Sequence, residues 1–307
     1  EIHYEIVKEG YETDRFVGSI LVDMYAKCGF LEEAQDIFDT LSVRDTVLWT
    51  ALVAGYVDHS LPEQALTCFE RMQADGISPD AGTYVCVLKA CSSLGTLIHG
   101  QRIYSEIMKT GYETNAFVGN TLVDFYAKCG QVAEAQNTFD MLAFQDIVSW
   151  NALIAGYVQH GQADEALNCY KKMLDKRVCP NAATYICALK ACVKTNDILY
   201  NSYMVHNEII SYGFESDLLI GNSLIDMYIK QGSLAEACVV LQKLVNRDME
   251  SWGMVIAGCV EHGEALLAFD LFQNLYHENI TPNGFILYCI LKACINIGIV
   301  YHGMLVH

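Results

Sequence analysis

Thirteen cysteines, nine histidines and 37 carboxylates in 307 residues could supply a metal site, a disulfide framework or a nucleophile with its base. Their spacing argues against all three. Cys28 with Cys129 and Cys68 with Cys169 lie 101 residues apart, while Cys86, Cys187 and Cys289, like Cys91, Cys192 and Cys294, come in threes. There is no CxxC pair and no accompanying His pair, so the cysteines read as small buried helix-packing thiols in a reducing compartment. His59, His160 and His262 share one slot, His99 and His302 another, and the sequence around Glu261 and His262 is not HExxH. No metal, no cofactor and no catalytic residue is expected. The polar groups that invite a role are carboxamides: Asn120, Asn151 and Asn222 recur at one slot of otherwise apolar segments. Asparagine is a mediocre helix former, and its side chain can donate and accept, so this repetition points to a helix cap or a ligand contact.

The elements that carry these residues form a period. VLWTALVAGYVDHS at 47–60, VSWNALIAGYVQHG at 148–161 and ESWGMVIAGCVEHG at 250–263 are one phrase written three times, and Trp49, Trp150 and Trp252 are the only tryptophans. An interval of 101 to 102 residues exceeds one supersecondary unit. It resolves into units of 31, 35 and 35 residues, with one extra residue in 182–217, each with two apolar-periodic segments parted by a turn residue such as Gly29. The boundaries expected are 15–45, 46–80, 81–115, 116–146, 147–181, 182–217, 218–248 and 249–283, with partial units at 1–14 and 284–307. An amphipathic hairpin cannot bury its apolar stripe alone, so one continuous all-α solenoid of stacked hairpins follows. At the seams each tryptophan buries a large ring. Because the chain begins inside a unit, it reads as an excised fragment whose targeting segment, if one existed, is missing.

Composition agrees with stacking: 52% of residues are hydrophobic and 18% charged. No apolar run approaches the roughly 18 residues of a membrane span. The net charge of −18 works against polyanion binding, but its distribution matters more than its total. On the first helices Arg15, Lys27, Lys89, Lys128, Lys190, Lys194, Lys230 and Lys292 face Asp23, Asp58, Asp124, Asp226, Glu250 and Glu261, a balance of about +2. Asp23, Asp124 and Asp226 stand four residues before Lys27, Lys128 and Lys230 and can pair with them. Lys89, Lys190 and Lys292 have no such partner, which leaves them available for phosphate.

In the phrases WNALIAGYVQHGQADEALNCYKKM, LKACSSLGTLIHGQRIYSEIMKTG and FVGNTLVDFYAKCGQVAEAQNTFDML the chain resembles the pentatricopeptide repeat family, in its plant-type PLS subclass of alternating P, L and S repeats. The resemblance covers the whole chain. It makes 15–45, 116–146 and 218–248 S repeats, 46–80, 147–181 and 249–283 P repeats, and the others L repeats. It implies a right-handed α-solenoid whose first-helix surface reads single-stranded RNA about one base per repeat, in a mitochondrion or chloroplast. In that family the fifth and last residues of a repeat choose the base. Carried over, the pairs are Ser19 with Asp45, Thr50 with Asp80, Asn120 with Asp146, Asn151 with Asn181, Asn222 with Asp248, and Gly253 with Asn283. Thr-Asp suggests G, Asn-Asp suggests U, and Asn-Asn suggests C or U. Phe16, Val47, Phe117, Val148 and Leu219 fall where the family wedges an apolar residue between bases.

Two positions depart from the pattern. Gly253 lacks a discriminating side chain, and Glu250 fills the slot of Val47 and Val148. In the L repeats Val85, Ile186 and Tyr288 hold the reading point, so no specific hydrogen bonding is expected there. The resemblance implies transcript positioning for processing such as C-to-U editing, without catalysis in this span, since the C-x-x-C that must accompany H-x-E in the deaminase tails of related proteins does not occur. The alternative it implies is a protein scaffold whose L repeats dock organellar editing-factor proteins.

Overall fold

The structure, a computed structural model, describes residues 5–6, 8–11, 14–195, 198–278 and 280–297. Much of the partial unit 1–14, and the end of the last one from residue 298 with His302, lies outside them. Among the described residues there are seventeen α-helices and no strand. In chain order they are α1 (Arg15–Cys28), α2 (Leu31–Thr40), α3 (Thr46–Asp58), α4 (Pro62–Ala74), α5 (Ala81–Leu94), α6 (Leu97–Thr110), α7 (Ala116–Lys128), α8 (Val132–Met141), α9 (Ile147–Gln159), α10 (Ala163–Asp175), α11 (Ala182–Cys192), α12 (Ile198–Ser211), α13 (Leu218–Lys230), α14 (Leu234–Lys243), α15 (Met249–Glu261), α16 (Ala265–His277) and α17 (Gly284–Ile297). The fold is an all-α solenoid of stacked hairpins, with odd-numbered helices as first helices. Contacts group the chain into two units, residues 1–160 and 161–307.

First and second helices start by different means. Asp14, Asp45, Asp80, Asn115, Asp146, Asn181, Asp217 and Asp248 each accept backbone N–H bonds at the start of a first helix. Each cap satisfies donors that the helix leaves orphaned, typically worth about 1 kcal/mol. The second helices α2, α4, α6, α8, α10, α14 and α16 have no side-chain cap and follow directly from a tight turn. Pro62 at the start of α4 suits that position, where its missing N–H is not needed. Gly29 turns the first hairpin with φ 82°. Ser60 adopts φ 60° in the slot where the later copies have Gly161 and Gly263, a conformation that costs a residue with a Cβ about 1 kcal/mol.

In the first unit, first helix packs on first helix through small residues, whereas in the second the equivalent Gly258 faces Ile229. A Cβ added at Gly55 would stand 2.7 Å from the Ala26 Cβ, and one at Gly156 would stand 2.6 Å from the Ala127 Cβ. The glycine slot of the tryptophan helix therefore admits the neighbouring helix to near-backbone contact. Trp49, Trp150 and Trp252 are buried, and the first two meet Phe38 and Phe139 edge-on with centroids 4.5 Å apart. Tyr56 donates to Gln35 at 3.2 Å and Tyr157 to Gln136 at 2.9 Å, tying a second helix to the next first helix. At the third copy both partners of this bond are cysteine, Cys238 and Cys259.

Candidate functional site

The last residue of each unit caps the first helix of the next, while the fifth residue sits one turn into its own first helix. Within residues 1–160 and within 161–307, a fifth-and-last pair therefore faces the seam between two successive first helices. At the seam between α7 and α9, Asn120 donates from Nδ2 to both Asp146 oxygens, at 3.0 and 2.9 Å. A carboxylate only accepts, so this contact fixes which way the carboxamide points. Asn120 is 8% exposed, and its Oδ1 is buried with no hydrogen-bond partner among the described residues. At the seam between α13 and α15, the Ser251 hydroxyl lies 2.7 Å from both Asn222 Oδ1 and Asp248 Oδ1. Burial raises the Asp248 carboxyl, but the hydrogen bonds from Ser251 and Asn222 outweigh it and hold the group below the usual carboxylate range.

The remaining pairs differ. Thr50 and Asp80 are joined through Thr83, whose Oγ1 is 2.6 Å from the Thr50 hydroxyl and 2.9 Å from Asp80 Oδ1. Ser19 and Asp45 are not joined: Ser19 donates to the Arg15 carbonyl at 2.6 Å, and Arg15 pairs with Asp45 at 2.8 Å. Hydrogen bonding from Arg15 is the first cause of the lowered Asp45 pKa. Asn151 is half-buried on α9 in the first unit, and Asn181 caps α11 in the second. Gly253 has no group to offer, although a Cβ there would meet Phe285 at an ordinary 3.6 Å, and Asn283 caps Ile286 at 2.9 Å. Asn120 and Asn222 themselves cap no helix; Asn115 and Asp217 do that for α7 and α13, which removes one of the two roles the sequence left open.

The second residue of each first helix points away from the core. Phe16 is 76% exposed, Val47 71%, Phe117 76%, Val148 58% and Leu219 65%. Phe285, in the same slot of α17, is also exposed, a position that repeat counting alone would have identified. The three-lysine distinction also has a geometric counterpart. Lys27, Lys128 and Lys230 pair with Asp23, Asp124 and Asp226 at 2.7, 2.8 and 2.7 Å. Lys89, Lys190 and Lys292 are exposed, and no carboxylate lies within ion-pair distance of them among the described residues. In the second unit a pocket of about 250 Å³ gathers Ile186, Lys190, Leu219, Asn222, Asp226 and Glu250.

Most residues that might have done chemistry are engaged in packing, although Cys28, Cys179 and His99 are exposed. His160 and His262 bond the Ala127 and Ile229 carbonyls at 2.8 Å, and His59 bonds the Gly55 carbonyl at 3.1 Å. All thirteen cysteines are free. Burial pushes Cys68 and Cys192 up to about 12 and Cys91 to about 11, which keeps them protonated and poor nucleophiles. Among the described residues no group of three or more His, Cys, Asp or Glu is placed to hold a metal, and no helix is long and apolar enough to cross a membrane.

The comparisons with known proteins agree on one family. A model described as the PPR repeat family matches residues 44–93 and 145–194, and a second, described as PPR repeat, matches 19–44, 120–143, 222–249 and 250–280. A chloroplastic pentatricopeptide repeat-containing protein of Arabidopsis thaliana is 33% identical over 98% of this chain and 56% of its own length. A mitochondrial one from the same plant is 32% identical over 99% of this chain and 36% of its own. The chain thus spans about half, or less, of the relatives it matches. The pentatricopeptide repeat protein PPR10, solved in complex with an 18-nt psaJ RNA element, aligns with a TM-score of 0.50 at 18% identity, covering 99% of this chain and 56% of that one.

Proposed function

Because the chain belongs to the pentatricopeptide repeat family, we propose that its first-helix surface binds single-stranded RNA and reads it about one base per repeat, in the manner of the PLS subclass. The observation that carries this reading is the Asn120–Asp146 pair. Asp146 engages the amide nitrogen and turns Oδ1 of Asn120 into a buried acceptor without a partner among the described residues, which costs about 1–3 kcal/mol. A uracil ring N–H entering the seam, once it opens slightly, supplies the missing donor. Asn222 and Asp248 repeat the residue types, with Ser251 holding the amide oxygen until a base displaces it. Asn151 with Asn181 accepts C or U. Phe16, Val47, Phe117, Val148 and Leu219 press on base faces, a contact worth about 1–3 kcal/mol per base for aromatic platforms. Lys89, Lys190 and Lys292 take phosphates. Ser19 and Asp45 are engaged by Arg15, and Gly253 offers nothing, so those seams contribute little selectivity.

Relatives named as chloroplastic and mitochondrial support an organellar location. Positioning a transcript for processing such as C-to-U editing is the role this reading supports, with any chemistry done elsewhere. Editing-factor proteins docking on the L repeats are a second use of the same array, favoured by the apolar Val85, Ile186 and Tyr288 at their reading points.

Fluorescence titration with an RNA carrying G, gap, U, C or U, gap, U from the repeat at 46–80 onward tests this function. Binding should exceed that of a scrambled RNA by tenfold or more at about 0.1 M salt. Equal binding of the two RNAs at every salt concentration would refute base reading. Loss of all RNA binding, with a partner protein still bound, would favour the scaffold.

A further inference from the structure

Thr83 belongs to the repeat after the one that carries Thr50 and Asp80, yet it decides what those two residues can offer a base. Its side chain is fully buried. The Asp80 backbone N–H donates to Thr83 Oγ1 at 3.2 Å, and Thr83 Oγ1 donates to Asp80 Oδ1 at 2.9 Å. A hydroxyl has one proton and two lone pairs. Asp80 takes the proton and supplies a donor to one lone pair, so the 2.6 Å contact with Thr50 has to be a bond donated by Thr50 to the other.

With its proton committed to Thr83, Thr50 presents only lone pairs to the groove. Asp80, a carboxylate, also presents only lone pairs on its second oxygen. Two neighbouring acceptors match two neighbouring donors. On a Watson–Crick edge guanine alone supplies these, at N1–H and the N2 amino group; adenine and cytosine place an acceptor beside their donor, and uracil flanks its one donor with acceptors. We infer that Thr83 is a specificity-determining positioning residue: by absorbing the Thr50 proton it makes the seam between α3 and α5 selective for guanine. This rests on the RNA-reading function proposed above.

Three other hydroxyls share this slot, Ser149, Thr184 and Ser251; Thr184 repeats at Asn181 the bonds that Thr83 makes to Asp80, and the two serines differ. Ser251 turns toward Asn222 and Asp248, whereas Ser149 donates to the Asp146 carbonyl at 2.8 Å, and there Asn120 bonds Asp146 directly. The third residue of the following repeat therefore sets how the preceding pair shares its protons.

The test compares the full chain with its Thr83→Val and Thr83→Ser variants on four single-stranded RNAs that differ only at the base facing 46–80. Wild type and Thr83→Ser should prefer G over A by about tenfold or more. Thr83→Val frees the Thr50 proton, and its preference should fall to about twofold, with the U preferences at the Asn120 and Asn222 seams unchanged. Retention of the full G preference by Thr83→Val would overturn the inference. So would a wild-type preference for another base here while U is still chosen at those seams. A chain that discriminates at no seam overturns it together with the RNA-reading function, and that outcome is recognisable by the lost U preferences. A second measurement needs no variant: by NMR the Thr83 hydroxyl proton should exchange much more slowly than that of a surface threonine, and equal exchange would refute the bridge.

Discussion

Trp49→Ala is expected to destabilise the first unit by about 3–5 kcal/mol, the usual cost of emptying a buried tryptophan site. Trp49 is 0% exposed, packs edge-on against Phe38 at 4.5 Å and lies beneath the Arg71 guanidinium at 5.7 Å. Its indole N–H has no hydrogen-bond partner among the described residues, so truncation removes packing and strands no polar group. Neighbouring hairpins share the seam, and stability in such arrays is transmitted between neighbours, so the loss should appear as an early phase in urea unfolding. Trp49→Phe should recover most of it. Base preference at Thr50, one residue along the same helix, should survive in whatever fraction stays folded. A change of base preference without loss of stability would mean that the ring touches RNA.

Replacing Lys89, Lys190 and Lys292 together by alanine is expected to lower RNA affinity about a hundredfold at 0.1 M salt. Each phosphate neutralised on a single strand contributes about 0.7 to the slope of log K against log salt, so three contribute about 2. The same variant should therefore flatten the salt dependence by about 2 while leaving the order of base preference intact. Replacing Lys27, Lys128 and Lys230 instead should do far less, because each already pairs with an aspartate four residues earlier. Such exposed helix pairs are worth about 0.3–0.5 kcal/mol each, so stability should barely move. If the two triple variants weaken binding equally, the distinction between paired and unpaired lysines has no functional meaning. For a chain with a net charge of −18 these few lysines should matter to RNA affinity out of proportion to their number.

Much of this was legible from periodicity. The first helices open at Arg15, Thr46, Ala81, Ala116, Ile147, Ala182, Leu218, Met249 and Gly284, which are the first residues of the units drawn from the sequence. The tryptophan packing and the lysine–aspartate pairs were equally readable, because both depend on spacing within one helix or on a slot repeated three times. The partners across seams were not. Asp45, Asp80, Asp146 and Asp248 occupy equivalent positions, yet they answer to Arg15, Thr83, Asn120 and Ser251 in turn. Register says which residues share a slot. It does not say how a proton is divided among residues some 30 positions apart, or that Ser149 and Ser251 turn in different directions from the same place. The exposed Phe285 was within reach of the sequence, since it continues the series of Phe16 and Phe117.

If base choice lives in the fifth-and-last pairs, as proposed, Thr50→Asn should redirect it. The change gives the seam at Asp80 the same residue types that Asn120 and Asp146 present. Measured by fluorescence anisotropy on four RNAs varied only at that base, the preference should move from G to U by about tenfold, with every other position unchanged. A variant that still prefers G, or that loses affinity for all four RNAs alike, would show that the pairs do not choose the base.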